Sequence, residues 1–141
     1  MKYHFKIHKE KKGYWAECLE LKGCYTQAGS LKVLKANMAE ALNLYLDEPE
    51  DSKVVFPLPD KKLSGRNIVE ISGDKRIVLA SYIRRLRILH GWTQQEVAKR
   101  LGMPNIYSYQ RLERRPNPRL NTLAMLKQVF PEFSMDLVLG A

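Results

Sequence analysis

The sequence is sparing with cysteine: its 141 residues contain two, Cys18 and Cys24. A chain of this length buries roughly 68 to 70% of the surface its unfolded form exposes, so it needs no disulfide staples. The two cysteines read as free thiols packed in apolar, strand-like segments, and with no further Cys or His pair nearby at ligand spacing no zinc site is expected. Long apolar runs are missing as well. No stretch of 18 apolar residues occurs, and the opening MKYHFKIHKEKK lacks the apolar run of a signal peptide, so the expectation is a cytoplasmic chain with no membrane partner. Internal repeats and low-complexity tracts are absent too. Acidic residues thin out along the chain: the net charge is +9, of which residues 1–75 carry +2 and residues 76–141 carry +7.

What is present is an ordinary globular balance, 45% hydrophobic and 28% charged, so the chain is expected to fold. The basic excess of the second half is mostly arginine, whose planar fork suits phosphates and guanine edges. These arginines either face an acidic polymer or form a solvated basic surface. Their grouping around one motif favours the polymer.

The first residues alternate, Tyr3, Phe5 and Ile7 on one face and Lys2, His4, Lys6 and His8 on the other, the period of a half-buried strand. A polar turn at Lys11 to Gly13 leads to a returning strand, Tyr14 to Cys18, and a third follows at Cys24 to Ala28. Ser30 then offers an N-cap, and Leu31, Leu34, Met38, Ala41 or Leu42, and Tyr45 form the inward stripe of one helix that lies on the sheet and stops before Pro49. Residues 48–65 have the prolines and charges of a loop, broken by an apolar island, Val54-Val55-Phe56, that offers itself to the sheet. A fourth strand is expected at Asn67 to Ile71. Past residue 75 the pattern is helical throughout, with helices over 76–90, 93–101, about 105–114 and about 120–130, and SMDLVLGA left as a short strand, docking element or tail. The reading is α+β: an antiparallel sheet with one packed helix over 1–74, and an all-α domain over 75–141.

Within WTQQEVAKRLGMPNIYSYQRLE, residues 92–113, Thr93 and Glu96 form a capping box that starts a helix. Val97 and Leu101 give that helix an inward face, Ala98 admits a close neighbour, and Gly102 suits the left-handed conformation that ends it. Tyr109 and Leu112 anchor the next helix, leaving Asn105, Tyr107, Ser108 and Arg111 facing outward. Thr-Gln, the alanine five residues after the threonine, the glycine four later, the Leu-Glu pair, and the trailing Pro118 to Leu123 resemble the Cro/repressor-like helix-turn-helix family over about 76–131. The resemblance implies that the helix from about Asn105 enters the major groove of duplex DNA, with Gln94 and Ser108 near phosphates or base edges. Arg111 is the leading base-reading candidate; Arg114 and Arg115 are read as phosphate contacts or as solvated charges at a helix end. The run from Gly102 to Leu112-Glu113 is one residue longer than that family's usual spacing, which leaves the outward register open by one position.

The amino-terminal order strand, strand, strand, helix, strand, with Gly13, Tyr14, Glu17, Gly23, Cys24, Thr26, Gly29, Ser30, Asn37, Glu40, Ala41, Leu42 and Tyr45, resembles the HicB antitoxin family. That family joins a sheet and helix shaped like part of a ribonuclease H fold to a DNA-binding module. The resemblance implies an antitoxin that blocks a small basic HicA-type ribonuclease toxin and represses its own promoter. The residues themselves speak against catalysis: a ribonuclease H reaction needs carboxylates converging on two metal ions, and Glu17, Glu20, Glu40, Asp47 and Glu70 do not form that set. His4 and His8, alternating with Lys2 and Lys6, read as solvated side chains. No cofactor is implied. Against a basic partner, Trp15 and Tyr25 serve either as aromatic anchors or as core, and Glu17 and Glu20 stand as opposing acids. Two rivals remain: a regulator whose amino-terminal half senses a small ligand, and a metal-dependent nuclease. A homodimer or larger assembly is expected, because paired modules read half-sites one helical turn apart, about 34 Å.

Overall fold

The computed structural model describes residues 1–140, which divide into two units. The first comprises Met1–Asp47, Phe56–Asp74 and Gly140, the second Glu48–Val55 and Lys75–Leu139.

The first unit is a four-stranded antiparallel sheet with one helix. Its strands β1 (Lys2–Glu10), β2 (Gly13–Cys18), β3 (Tyr25–Ala28) and β4 (Ile68–Ser72) stand in the order β3-β2-β1-β4, and α1 (Leu31–Leu46) links β3 to β4 in the chain. Register follows from the alternation. Phe5 faces Cys18 and Ile7 faces Ala16 across β1 and β2, and Tyr3, Phe5, Ala16 and Cys18 are all buried. Because neighbours along a strand point to opposite sides, Trp15 and Glu17 with their partners Gln27 and Tyr25 belong to the other face. Gly13 makes the β1–β2 turn possible: its φ is +108°, and a Cβ there would stand 2.6 Å from the Ala28 carbonyl oxygen.

Ser30 caps α1 by accepting the Val33 amide, and Leu34, Met38, Leu42 and Leu46 form its buried stripe. Leu31, expected in that stripe, is instead 52% exposed, and Leu46 takes the buried place at the far end. Tyr45 stands beside the stripe, its hydroxyl donating to the Lys22 carbonyl at 2.6 Å. The apolar island divides. Phe56 alone is buried in the first unit, against Tyr45, whereas Val54 and Val55 belong to the second, so the loop expected over 48–65 is shared between the units.

The second unit is helical: α2 (Lys75–Leu89), α3 (Gln94–Arg100), α4 (Ile106–Gln110), which passes into a 3-10 turn at Arg111–Glu113, α5 (Leu120–Val129) and α6 (Met135–Leu139). Ile83, Val97, Tyr109, Leu126 and Phe130 are among its fully buried side chains. The tail expected to be a strand, docking element or free end is the helix α6, because the Ser134 hydroxyl accepts the Leu137 amide and Val138 is buried. No helix among the described residues is long and apolar enough to cross a membrane.

Candidate nucleic-acid interface

Two short helices meet at the corner, and each turn of the chain there has an identifiable device. The Thr93 hydroxyl accepts the Glu96 amide at 3.1 Å and starts α3. At its other end, the Met103 amide reaches the Ala98 carbonyl at 2.9 Å and the Gly102 amide reaches the Lys99 carbonyl at 3.0 Å, the paired bonds of a Schellman ending. Gly102 supplies the left-handed residue such an ending requires, at φ +68°. Asn105 then caps α4, its side-chain oxygen accepting from the Ser108 amide at 3.0 Å and from the Ser108 hydroxyl at 3.2 Å.

Tyr109 and Leu112 are buried, which fixes the outward register. Tyr107 is 70% exposed, Asn105 and Arg111 are exposed, and Ser108 is half-buried and committed to the Asn105 cap. Arg111 belongs to the 3-10 turn instead of the helix expected to run on to Arg114. Arg114 and Arg115 follow and are exposed, the Arg115 carbonyl accepting from Arg76 at 2.9 Å. Gln94 is half-buried, and its amide group is spoken for: Oε1 accepts from Gln110 at 3.1 Å, and Nε2 lies 3.5 Å from Glu113.

Behind the corner lies a buried acid. Glu113 is 1% exposed, and Arg87 grips it with two bonds, Nε to Oε2 at 2.6 Å and Nη2 to Oε1 at 3.0 Å. Arg84, also buried, donates to the Glu113 carbonyl at 3.0 Å. Burial works to discharge Arg87, but the Glu113 carboxylate prevails and holds its guanidinium above the usual arginine range. Burial, reinforced by the Glu113 charge, pushes the neighbouring Tyr109 phenol up, so it stays neutral. The arrangement ties α2 to the turn that ends α4. Arg100 lies 4.1 Å over the Trp92 ring, fastening the end of α3 to the residue before its cap.

The sheet face of the first unit brings three of the four expected partner-binding residues together. Trp15 and Tyr25 are diagonal neighbours across β2 and β3, Glu17 stands opposite Tyr25, and Tyr25 is 69% exposed. Trp15 stacks on His8 with ring centroids 4.0 Å apart, and His8 Nε2 lies 3.4 Å from Glu17. With Glu10, Thr26 and Gln27, the two aromatics line an open cavity of about 590 Å³.

Glu20 does not join them. Its carboxylate accepts the His4 amide at 2.8 Å and the Asp60 amide at 3.1 Å, and meets His4 Nδ1 at 2.8 Å. Its side chain is 4% exposed, so the acid expected to oppose a partner is a buried anchor for the Asp60 loop. His4, expected to be solvated, is buried with it for the same reason. Among the described residues no group of three or more His, Cys, Asp or Glu side chains is placed to hold a metal ion.

Sequence reading missed Gln110, Arg87 and the burial of Glu113. The Leu-Glu pair marked the position of Glu113, but nothing local distinguishes an acid that meets a helix 26 residues earlier from one that meets water.

Residues 83–132 match the helix-turn-helix family, in its Cro/repressor form. The match covers less than half the chain and runs from within α2 through α5, so the corner is a DNA-binding module of the kind carried by transcription regulators. A comparison of the whole chain with curated proteins finds no match.

Proposed function

We propose that this chain is an antitoxin that represses its own operon: the helix-turn-helix reads an operator, and the amino-terminal unit binds and blocks a small basic HicA-type ribonuclease. The observation that carries the reading is the open sheet face of the first unit, where Trp15 and Tyr25 present aromatic surface and Glu17 an acid, in a chain that also holds a DNA-binding unit. A basic protein partner would meet both apolar area and opposite charge there. The order of three strands, a helix and a fourth strand, on which the resemblance to the HicB family and to part of a ribonuclease H fold rests, supports it further. In this reading the chain has no catalytic role of its own, works in the cytoplasm and acts as a homodimer or larger assembly, because one corner contacts few base pairs.

Co-expression with the adjacent reading frame tests the proposal. A short basic product should co-purify with this chain in a stable complex, and its ribonuclease activity should be suppressed in that complex. An adjacent frame with no such product, or a product that elutes alone, removes the antitoxin reading and leaves a regulator. One observation favours that second reading: the open cavity of about 590 Å³ walled by Trp15 and Tyr25 is of a size that small ligands occupy.

A further inference from the structure

The segment Glu48–Val55 belongs to the same unit as the DNA-reading corner, although α1 and β4 flank it in sequence. It carries Glu48, Glu50 and Asp51 against one base, Lys53, for a net charge of −2. It is shaped as a turn: the Ser52 amide donates to the Pro49 carbonyl at 3.0 Å, and the Ser52 hydroxyl accepts the Val54 amide at 3.1 Å. Glu50 and Asp51 therefore occupy the tip. The base of the turn is moored, because buried Arg84 reaches the Pro49 carbonyl with Nη2 at 3.4 Å. Glu50 Oε2 stands 3.8 Å from Nη1 of Arg114, one of the arginines read as a phosphate contact. Together with Thr93, Gln94, Gln95 and Ile106, the turn lines a cleft of about 400 Å³ at the starts of α3 and α4. Carboxylate oxygens thus lie along the edge of the surface that phosphate oxygens approach in a helix-turn-helix complex.

We propose that the acidic turn Pro49–Ser52 is an intramolecular competitor for DNA: it pairs with Arg114 and occupies the flank of the corner in the free protein, and the phosphate backbone displaces it on binding. The inference rests on the DNA-binding reading of the corner. Tethering makes the competition effective, since a group on the same chain meets its target at high local concentration whatever the protein concentration. An exposed ion pair is worth little by itself, so the turn tunes affinity without abolishing it.

Fluorescence anisotropy of the full chain with a 30-base-pair duplex of random sequence, at low salt, tests this. The pair Glu50→Gln and Asp51→Asn should tighten binding about three- to tenfold, from the loss of a weak surface pair and a second nearby acid. The control pair Glu10→Gln and Glu40→Gln removes the same charge from exposed positions of the first unit, neither of them paired with Arg114, and should change affinity less than about twofold. In an Arg114→Gln background the gain from the turn variant should fall below about half its size in the parent, since part of the competition is for that arginine. Equal tightening by the turn and control pairs, or an undiminished gain without Arg114, reduces the effect to net charge and overturns the proposal. A parent that binds the duplex beside an unaffected turn variant overturns it while leaving DNA binding intact. Absence of binding by every variant and the parent overturns both.

Discussion

At the scale of single residues, the corner separates side chains that hold it from side chains free to read. Asn105 and Ser108 bond to each other, and Gln94 bonds to Gln110 and Glu113, so each has spent bonding capacity inside the module. Arg111 has no side-chain partner among the described residues, is exposed, and follows α4 by one position. Its two-pronged donor fits the O6 and N7 acceptors of guanine. Arg111→Ala should weaken operator binding by about 1 to 3 kcal/mol and relax preference at one base pair. Binding titrations against an operator and its single-base variants check this. Uniform weakening across all variants would make Arg111 a phosphate contact instead.

At the scale of elements, the corner depends on a buried ion pair. Glu113 receives Arg87 in a two-bond grip with Arg84 behind it, and nearly all three side chains are out of water. Such a group adds little net stability when intact, because desolvation offsets attraction, yet removing one partner strands the rest. Glu113→Gln should therefore destabilise the second unit by about 3 to 5 kcal/mol, read from urea unfolding, because two buried guanidinium groups lose their counter-charge. A loss near zero would mean that water reaches the arginines.

Much of this architecture is legible in the sequence, and the illegible parts have a common cause. Alternation gave β1 its faces, the three-and-four spacing gave α1 most of its stripe, and Thr93 and Gly102 marked where α3 begins and ends. Those signals are local. Leu31 obeys the helical spacing but is exposed, and spacing cannot tell where the sheet beneath a helix stops. Glu20 reads as a turn acid because its partners, His4 and Asp60, lie 16 residues before and 40 after it. The break of α4 into a 3-10 turn likewise reflects tertiary demand: Arg111 to Glu113 wind tighter where Glu113 enters the arginine pocket, and propensity does not foresee that.

At the scale of the whole molecule, the charge division describes a chain with two units of different chemistry. The second unit holds most of the positive charge and the corner; the first holds the aromatic and acidic sheet face. In the proposed double role the two activities separate by mutation. Trp15→Ala with Tyr25→Ala removes the aromatic surface from side chains half-buried or exposed on the open face, so the fold should survive. The co-purifying basic partner should be lost while operator affinity stays within about twofold of the parent, since the substitutions leave the unit that holds the corner untouched. Arg111→Ala should do the reverse, keeping the partner and weakening operator binding by the same margin of about 1 to 3 kcal/mol, roughly 5- to 150-fold. Both properties are measured on each full-length variant, alongside its unfolding midpoint. Loss of both functions by the aromatic pair with an unchanged midpoint would mean that one surface serves both partners. Retention of the basic protein by that pair would move its binding site elsewhere in the chain. Only the crossed pattern, each variant impaired in one assay and normal in the other, fits a repressor whose second partner is held by the open sheet face.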